Sequence, residues 1–284
     1  MDITNDMIKK LREKTGAGMM DCKRALEATS GDMEGAMDYL RKKGAAVAQK
    51  RADRAAKEGI IVTRVSPDGK LGTMVEVNCE TDFVGRSEDF IGFAGTVAET
   101  IEKTKPANID GLLQTATPAG KTISEMMNDL LSKVGEKVDV RRFVMFETSG
   151  GYISSYTHLG SKIGVLVELT GLDKDSPVGR DIAMQIAAMN PLHVSRDQVD
   201  KTMIEREIDI YKTQAANEGK PAQVVEKIAT GRLEKFYQEV CLLEQTFIKD
   251  SGKTIKDYLQ STSKAGASAT VERFQRFHLG EETK

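Results

Sequence analysis

The sequence predicts an α+β protein with a small helical head, a core of two similar antiparallel-sheet and helix subdomains, and an inserted antiparallel coiled-coil hairpin. Apolar residues recur at every third or fourth position between Thr4 and Lys43, which is typical of short amphipathic helices. They alternate with polar residues in several runs after Gly59, and they follow a coiled-coil seam between Ile204 and Val240. The expected units are residues 1–55, 56–145 and 146–284, with the hairpin inserted at about 195–240.

Composition restricts the classes of function. Of the 284 residues, 39% are hydrophobic and 30% are charged, and the formal net charge is only -2, so the chain as a whole is not a polyanion binder. No apolar run is long enough to span a membrane, and the N-terminus lacks the pattern of a secretory signal. Cys22, Cys79 and Cys241 are too far apart for a metal site or a disulfide framework. We expect a cytoplasmic protein that needs no cofactor or metal.

The head is predicted to contain three short helices. Thr4 suits the N-cap of the first helix, which Gly16 ends. Gly31 closes the second helix, and Asp32 caps a third helix that Gly44 is expected to stop. A unit of this length buries only a small core and is marginally stable alone.

The connection Gly16–Met20 is unusual because its glycines lead into two large, flexible side chains. Helical spacing places Met19 on the same face as Cys22 and Leu26, which favours the core for Met19. Met20 lies on a different face, and the spacing leaves a core position and a partner contact equally open for it. Methionine suits an adaptable contact with a partner.

A basic, alanine-rich stretch, Arg41–Lys57, follows the head and contains Asp53 as its single acid. Such a stretch makes RNA a candidate partner. A solvated connector helix is favoured, because no aromatic side chains are interleaved to stack on bases. An RNA-binding, translation-associated protein is therefore the alternative function, and we expect no direct contact with nucleic acid.

The first strand-and-helix pattern begins with a hairpin made of Ile60–Val65 and Leu71–Cys79. Ser87 suits the N-cap of the helix that follows. A loosely ordered segment, 105–118, is expected before a second helix that ends near Val134.

The second pattern repeats the first. Its strands are expected at Val138–Glu147, Tyr152–His158 and Lys162–Leu169. Gly72–Val77 and Gly164–Leu169 both open with glycine, continue as a strand and place a glutamate next to last. This similarity predicts two related subdomains, each an antiparallel sheet covered by helices.

A helical hairpin interrupts the second pattern. Its two helices are expected to join at Gly219–Pro221, with glycine past one helix end and proline at the start of the next. A narrow hairpin must pack on its parent domain or bind something at its outer face, and self-association is the simplest partner. A short helix at Thr254–Gln260 and a last strand at Val271–Leu279 complete the chain.

The first hairpin leads into Thr81, Asp82, Phe83 and Val84, at a strand–helix junction where loops are exposed and held at both ends. An exposed phenylalanine beside an aspartate suggests a probe that a partner buries. The alternative places Phe83 in the local core with Asp82 capping a turn, and the residues alone leave both open. No second acid or base accompanies Asp82, so we do not expect an enzyme. A thiol enzyme that uses Cys79 is a third possibility.

Five motifs occur in one order over nearly the whole chain. They are Leu11–Lys23, Glu76–Val84, Lys162–Val167, the Ala187-Met189-Pro191 region and Gly219–Pro221. Together they resemble the bacterial elongation factor Ts family, the nucleotide exchange factors for elongation factor Tu. The first two motifs are too long to match by chance.

The resemblance implies a head similar to ubiquitin-associated (UBA) domains, a two-subdomain core and a dimerising coiled coil. It implies that Asp82 and Phe83, within Thr81–Val84, enter the GTPase domain of elongation factor Tu, disturb its magnesium site and release GDP. It further implies contacts by residues outside this motif. Arg12, Met19, Met20 and Lys23 are expected to contact the GTPase domain of elongation factor Tu. His158 is expected to contact a later domain of that protein. Residues Arg232–Phe236 match a segment that contacts elongation factor Tu in some members of the family.

Two departures from the family pattern affect these expectations. The chain stops soon after its last strand, where some members carry a further helix, so we expect that helix's contact to be absent. His158 precedes Leu159-Gly160-Ser161, a turn one residue longer than in some members. On position alone, His158 is a hydrogen-bonded residue of a surface turn.

Overall fold

The computed structural model describes residues 3–51, 53–263 and 268–282. Within these ranges the fold is α+β, as predicted, with small antiparallel sheets covered by helices. None of the described helices has the length and hydropathy needed to cross a membrane.

The head consists of α1 (Asn5–Thr15), α2 (Met19–Ala28) and α3 (Met33–Arg51). The predicted caps are present: Thr4 accepts a hydrogen bond from the backbone of α1, and Asp32 accepts two from the first turn of α3. The small core of the head contains Ile8, Leu11, Ala17, Cys22, Ala25, Leu26, Ala36 and Leu40.

The first sheet has the order β1-β2-β3, and all neighbouring strands are antiparallel. In chain order, this sheet and the helices that accompany it are β1 (Glu58–Val65), β2 (Leu71–Cys79), α4 (Asp82–Gly85), α5 (Glu88–Thr104), α6 (Ile109–Gln114), α7 (Ile123–Val134) and β3 (Val138–Glu147). The α5 side chains Phe90, Phe93 and Val97 pack on the sheet. The expectation of a loosely ordered segment at 105–118 is wrong, because Asn108 caps α6 and Leu112 is fully buried.

The second sheet has the order β4-β5-β8 and repeats the topology of the first. Its elements are β4 (Tyr152–Thr157), β5 (Ile163–Thr170), α8 (Val178–Met189), α9 (Lys201–Asn217), α10 (Ala222–Val240), β6 (Thr246–Phe247), β7 (Asp250–Thr254), α11 (Ile255–Thr262) and β8 (Thr270–His278). The two short strands β6 and β7 were not predicted. Ile182 and Ile186 of α8 cover this sheet as α5 covers the first.

Gly44 does not stop α3, which continues through it into the basic stretch. A β-carbon at Gly44 would lie 2.4 Å from the hydroxyl oxygen of Ser132 in α7. The glycine therefore permits two helices to approach closely, and head and core pack together at this point. The expected helix stop is wrong because glycine serves close packing here and not chain reversal.

The paired glutamates of the sequence repeat occupy equivalent places in the two sheets. Glu76 of β2 is fully buried and accepts a hydrogen bond from Arg142 of β3 at 2.7 Å. Glu168 of β5 accepts one from Arg273 of β8, also at 2.7 Å. In each sheet, the central strand therefore contacts the strand that comes last in the chain through a glutamate–arginine pair as well as through the backbone.

Each arginine also contacts the opposite sheet. The guanidinium of Arg142 lies 4.1 Å from the ring centre of Phe277, and that of Arg273 lies 4.3 Å from the ring centre of Phe146. We call these two groups the arginine clamps: Glu76, Arg142 and Phe277 form one, and Glu168, Arg273 and Phe146 form the other. Because each clamp joins both sheets, the two halves of the core hold each other in an approximately symmetric way.

The helices α9 and α10 pack against each other and are joined at residues 218–221, where Gly219 adopts the left-handed φ of 74°. Arg196 pairs with Glu244 and, at 2.6 Å, with Glu234 of α10. Its guanidinium lies 4.3 Å from the ring centre of Tyr237. Arg196 therefore fixes the base of this hairpin to the core.

Candidate functional site

The candidate site begins where β2 ends. Thr81 caps the single helical turn α4, and its hydroxyl oxygen accepts a hydrogen bond from the Val84 N–H at 3.4 Å. Val84 packs against the core of the first sheet, whereas Phe83 is 84% exposed. A helical turn points neighbouring side chains in different directions, so one residue holds the turn and the next faces solvent. The alternative with Phe83 in the local core and Asp82 as the cap is wrong.

Asp82 lies beside Phe83 on the same turn. Its carboxylate pairs with Arg86 at 3.0 Å, and 42% of its side chain is exposed. Exposed ion pairs of this kind contribute little energy and exchange readily. The carboxylate is therefore accessible to a partner that offers a stronger positive charge or a hydrogen-bond donor.

Glu136, between α7 and β3, holds this turn, and no local sequence pattern pointed to it. The Thr81 N–H donates to one carboxylate oxygen of Glu136 at 2.9 Å, and the Thr81 hydroxyl donates to the other at 2.8 Å. The contact depends on the pairing of β2 with β3, which places Cys79 opposite Val138. Knowledge of that register would have pointed to Glu136.

Cys79 lies directly under the turn and is fully buried. Its thiol donates to the Thr81 carbonyl at 3.1 Å. Burial, and secondarily the negative charges of Glu136 and Glu58, raise the pKa of the Cys79 thiol to about 12. The thiolate is the reactive form of cysteine, so this environment disfavours the thiol-enzyme hypothesis.

The predicted head residues surround one connection, between α1 and α2. Arg12, Met19, Met20 and Lys23 are all exposed, with Met19 at 48% and Met20 at 63%. The core position expected for Met19 is wrong, because the buried face of α2 begins only at Cys22. Two exposed methionines between two cations form an adaptable apolar surface with a positive rim.

His158 lies in the turn between β4 and β5 and is exposed. Its Nδ1 is 2.9 Å from the Tyr156 hydroxyl, and its backbone N–H donates to the Ile163 carbonyl at 2.9 Å. The adjacent Leu159 is 91% exposed. The head, the strand–helix junction and the turn between β4 and β5 thus each present exposed side chains.

The predicted contact residues are not arranged around a metal site or the main groove of the described structure. Across the described ranges, no group of three or more histidine, cysteine, aspartate or glutamate side chains is arranged to hold a metal ion. A groove of about 440 Å³ between head and core is lined by residues such as Lys14, Glu34 and Asp129, and none of the predicted site residues lines it. Exposed probes on a rigid frame are suited to recognition of a macromolecule.

Comparison with known proteins gives one consistent result. A sequence model of the family described as Elongation factor TS matches residues 80–281. Elongation factor Ts of Clostridium botulinum (strain Alaska E43 / Type E3) is 48% identical, and the match covers 98% of this chain and 93% of that protein. Elongation factor Ts of Prosthecochloris aestuarii is also 48% identical, with 96% and 97% covered.

Proposed function

Because the chain belongs to the elongation factor Ts family, we propose that it is a translation elongation factor that binds GDP-bound elongation factor Tu and promotes GDP release. The observation that carries the proposal is the exposure of Phe83 on a turn whose neighbouring residue, Val84, is anchored in the core. Exposing a phenylalanine in this way is unfavourable in water and becomes useful when a partner buries it. The protein acts by binding and is not an enzyme.

In the proposed mechanism, Thr81–Val84 enters the GTPase domain beside its magnesium ion. GDP is held partly through magnesium, which requires near-ideal octahedral coordination. Asp82 and Phe83 shift groups around the ion, so the metal bridge weakens without any direct contact between this chain and the nucleotide. Linkage requires that GDP weaken binding of this chain by the same factor.

Further contacts complete the proposed interface. The head surface of Arg12, Met19, Met20 and Lys23 contacts the GTPase domain, and His158 contacts a later domain. The proposed units remain 1–55 as a UBA-like head with its linker, 56–145, and 146–284 with a coiled-coil hairpin at about 195–240. Arg232 of the hairpin donates to Gln214 and Glu218, so its side chain supports the hairpin itself.

The hairpin is also the proposed surface for a homodimer. A cytoplasmic location stays a prediction.

The RNA-binding alternative is not favoured, because Lys43 pairs with Asp21 at 2.6 Å and Arg54 pairs with Glu80 at 3.2 Å. The side chains of Lys50 and Arg51 lie outside the part of the chain that is described.

The direct test is release of fluorescent GDP from elongation factor Tu. The wild-type chain should accelerate release strongly, and Asp82→Ala or Phe83→Ala should each reduce that acceleration by roughly tenfold or more, since both groups act at the metal site. Ile248→Ala, which truncates another exposed apolar side chain far along the chain, should behave as wild type. Release that the wild-type chain leaves unchanged would refute the proposal. Retention of RNA by the wild-type chain, lost in high salt, would support the alternative.

A further inference from the structure

We infer that Glu136 is a positioning residue for nucleotide exchange: its carboxylate fixes Thr81 and thereby sets the direction in which α4 presents Phe83. The inference rests on the proposed function and assigns a role to a residue outside the Thr81–Val84 motif. Glu136 itself need not touch the partner.

Both polar groups of Thr81 that can donate are directed to Glu136. Its N–H and its hydroxyl donate to the two carboxylate oxygens at 2.9 and 2.8 Å. The same hydroxyl oxygen accepts the Val84 N–H that caps α4. One threonine side chain thus connects the carboxylate to the helical turn, and hydrogen bonds to a charged acceptor are stronger than those between neutral groups.

Glu136 is itself held on both sides. It follows Gly135, the left-handed cap of α7, and precedes β3, which starts at Val138. One position beyond the last pair of β2 and β3, Cys79 and Val138, the Lys137 N–H donates to a Glu80 carboxylate oxygen at 2.7 Å. Side-chain carboxylates therefore replace backbone carbonyls at the point where β2 and β3 diverge, and they extend the sheet to the base of α4.

A turn as short as α4 needs such support. Its four residues, Asp82–Gly85, are too few to be stable as an isolated helix. Without Glu136 the Thr81 N–H and hydroxyl lose their partners, and the turn can rotate or unwind. Phe83 would then have to be ordered during binding, which lowers affinity and slows exchange.

The test uses GDP release from elongation factor Tu with the full chain, together with thermal unfolding of each variant. Glu136→Ala should lower the acceleration by roughly tenfold, a loss typical of hydrogen bonds to a charged group. Glu136→Gln keeps one acceptor and should fall between Glu136→Ala and wild type. Glu102→Gln alters another carboxylate that accepts a hydrogen bond, here from Arg64, outside the proposed interface, and serves as the control with wild-type activity.

Further variants distinguish a role of Glu136 in positioning α4 from a general effect on the stability of the protein. If Glu136 acts through α4, Glu136→Ala should cause a smaller loss in the Phe83→Ala background than in the wild-type chain, and no further loss when both Asp82 and Phe83 are already alanine. Thr81→Ser, which keeps the hydroxyl, should retain most activity, whereas Thr81→Val should resemble Glu136→Ala. An equal loss in wild-type and Phe83→Ala backgrounds would overturn the inference, as would wild-type exchange by Glu136→Ala.

The outcomes also distinguish this inference from the function on which it rests. If the wild-type chain does not accelerate release, the proposed function fails. If the wild-type chain accelerates release, Phe83→Ala impairs it and Glu136→Ala does not, only the role of Glu136 is refuted.

Discussion

Phe83 and Val84 are neighbours in the chain with opposite surroundings. Val84 joins the apolar cluster of the first sheet, while Phe83 is 84% exposed. The sequence places both beside a strand end, and a propensity argument cannot say which of the two is buried. The direction is set by the turn that Thr81 caps and Glu136 holds, and these contacts require the folded sheet.

The exposure of Phe83 predicts that its truncation destabilises the fold much less than truncation of a buried phenylalanine. Phe83→Ala should change the free energy of unfolding by less than about 0.5 kcal/mol, as is usual for exposed sites. Phe90→Ala, at a fully buried phenylalanine of α5, should cost about 3–5 kcal/mol through lost transfer energy and a cavity. Denaturant titration of the two variants measures both values. Comparable destabilisation by the two substitutions would show that Phe83 belongs to the core in solution.

Among the elements, α2 and α3 of the head depend on one carboxylate for part of their contact. Asp21 of α2 accepts hydrogen bonds from Lys43 of α3 at 2.6 Å and from Arg24 at 2.9 Å. The hydrogen bond from Lys43 is the main cause that holds the pKa of Asp21 below its ordinary value, against the opposing effect of burial. The link between α2 and α3 is therefore sensitive to acid.

The sign of the pH effect follows from that lowered pKa. The unfolded chain binds a proton at Asp21 more readily than the folded chain, so the stabilisation is present above the ordinary pKa of about 3.9 and is lost as pH falls through the folded value. Asp21→Asn should lower the unfolding temperature at about pH 7, and this effect should diminish as the pH is taken into the acid range below about 3.9. Asp6→Asn, which affects only an exposed pair with Lys10, should have little effect at either pH. A constant difference between Asp21→Asn and wild type across this range would contradict the assignment.

Most elements could be predicted from local patterns because caps and periodicity act within a few residues. Thr4, Ser87 and Gly219 show this, each occupying the expected cap or turn. Local patterns misplaced the end of α3, since the close contact of Gly44 with Ser132 joins residues far apart in the chain. The strands β6 and β7 were missed because they are short and β7 is largely polar.

On the scale of the whole molecule, the arginine clamps relate the two halves of the core. The repeated glutamate in the sequence predicted related subdomains, and the structure shows what each glutamate binds. The aromatic partners Phe146 and Phe277 come from the opposite sheets, so no comparison of the two repeats alone could identify them. The contacts between sheets therefore needed the structure. The place expected for Val138–Glu147 in the second pattern is wrong, because this strand pairs with β2 as the third strand of the first sheet. Only the hairpin of each sheet could be predicted from local patterns.

Removing a clamp should destabilise the whole core. Arg142→Ala leaves the fully buried carboxylate of Glu76 without its closest charged partner and should cost about 3–5 kcal/mol. Arg273→Ala should act in the same direction with a smaller effect, because Arg273 is itself about half exposed. Lys103→Ala, which removes an exposed pair with Glu99, should cost no more than about 1 kcal/mol. Denaturant unfolding compares the three, and an Arg142→Ala value as small as that of Lys103→Ala would contradict the clamp.

In the proposed mechanism, a rigidly held Phe83 releases GDP through the magnesium ion of the partner. This route can be tested by the rate of fluorescent GDP release from elongation factor Tu, with and without a magnesium chelator, in the presence of wild-type chain or Phe83→Ala. With magnesium present, the wild-type chain should be faster by roughly tenfold or more. Without magnesium the bridge is already absent, so the two rates should converge. A wild-type advantage of the same size in both conditions would show that Phe83 does not act through magnesium.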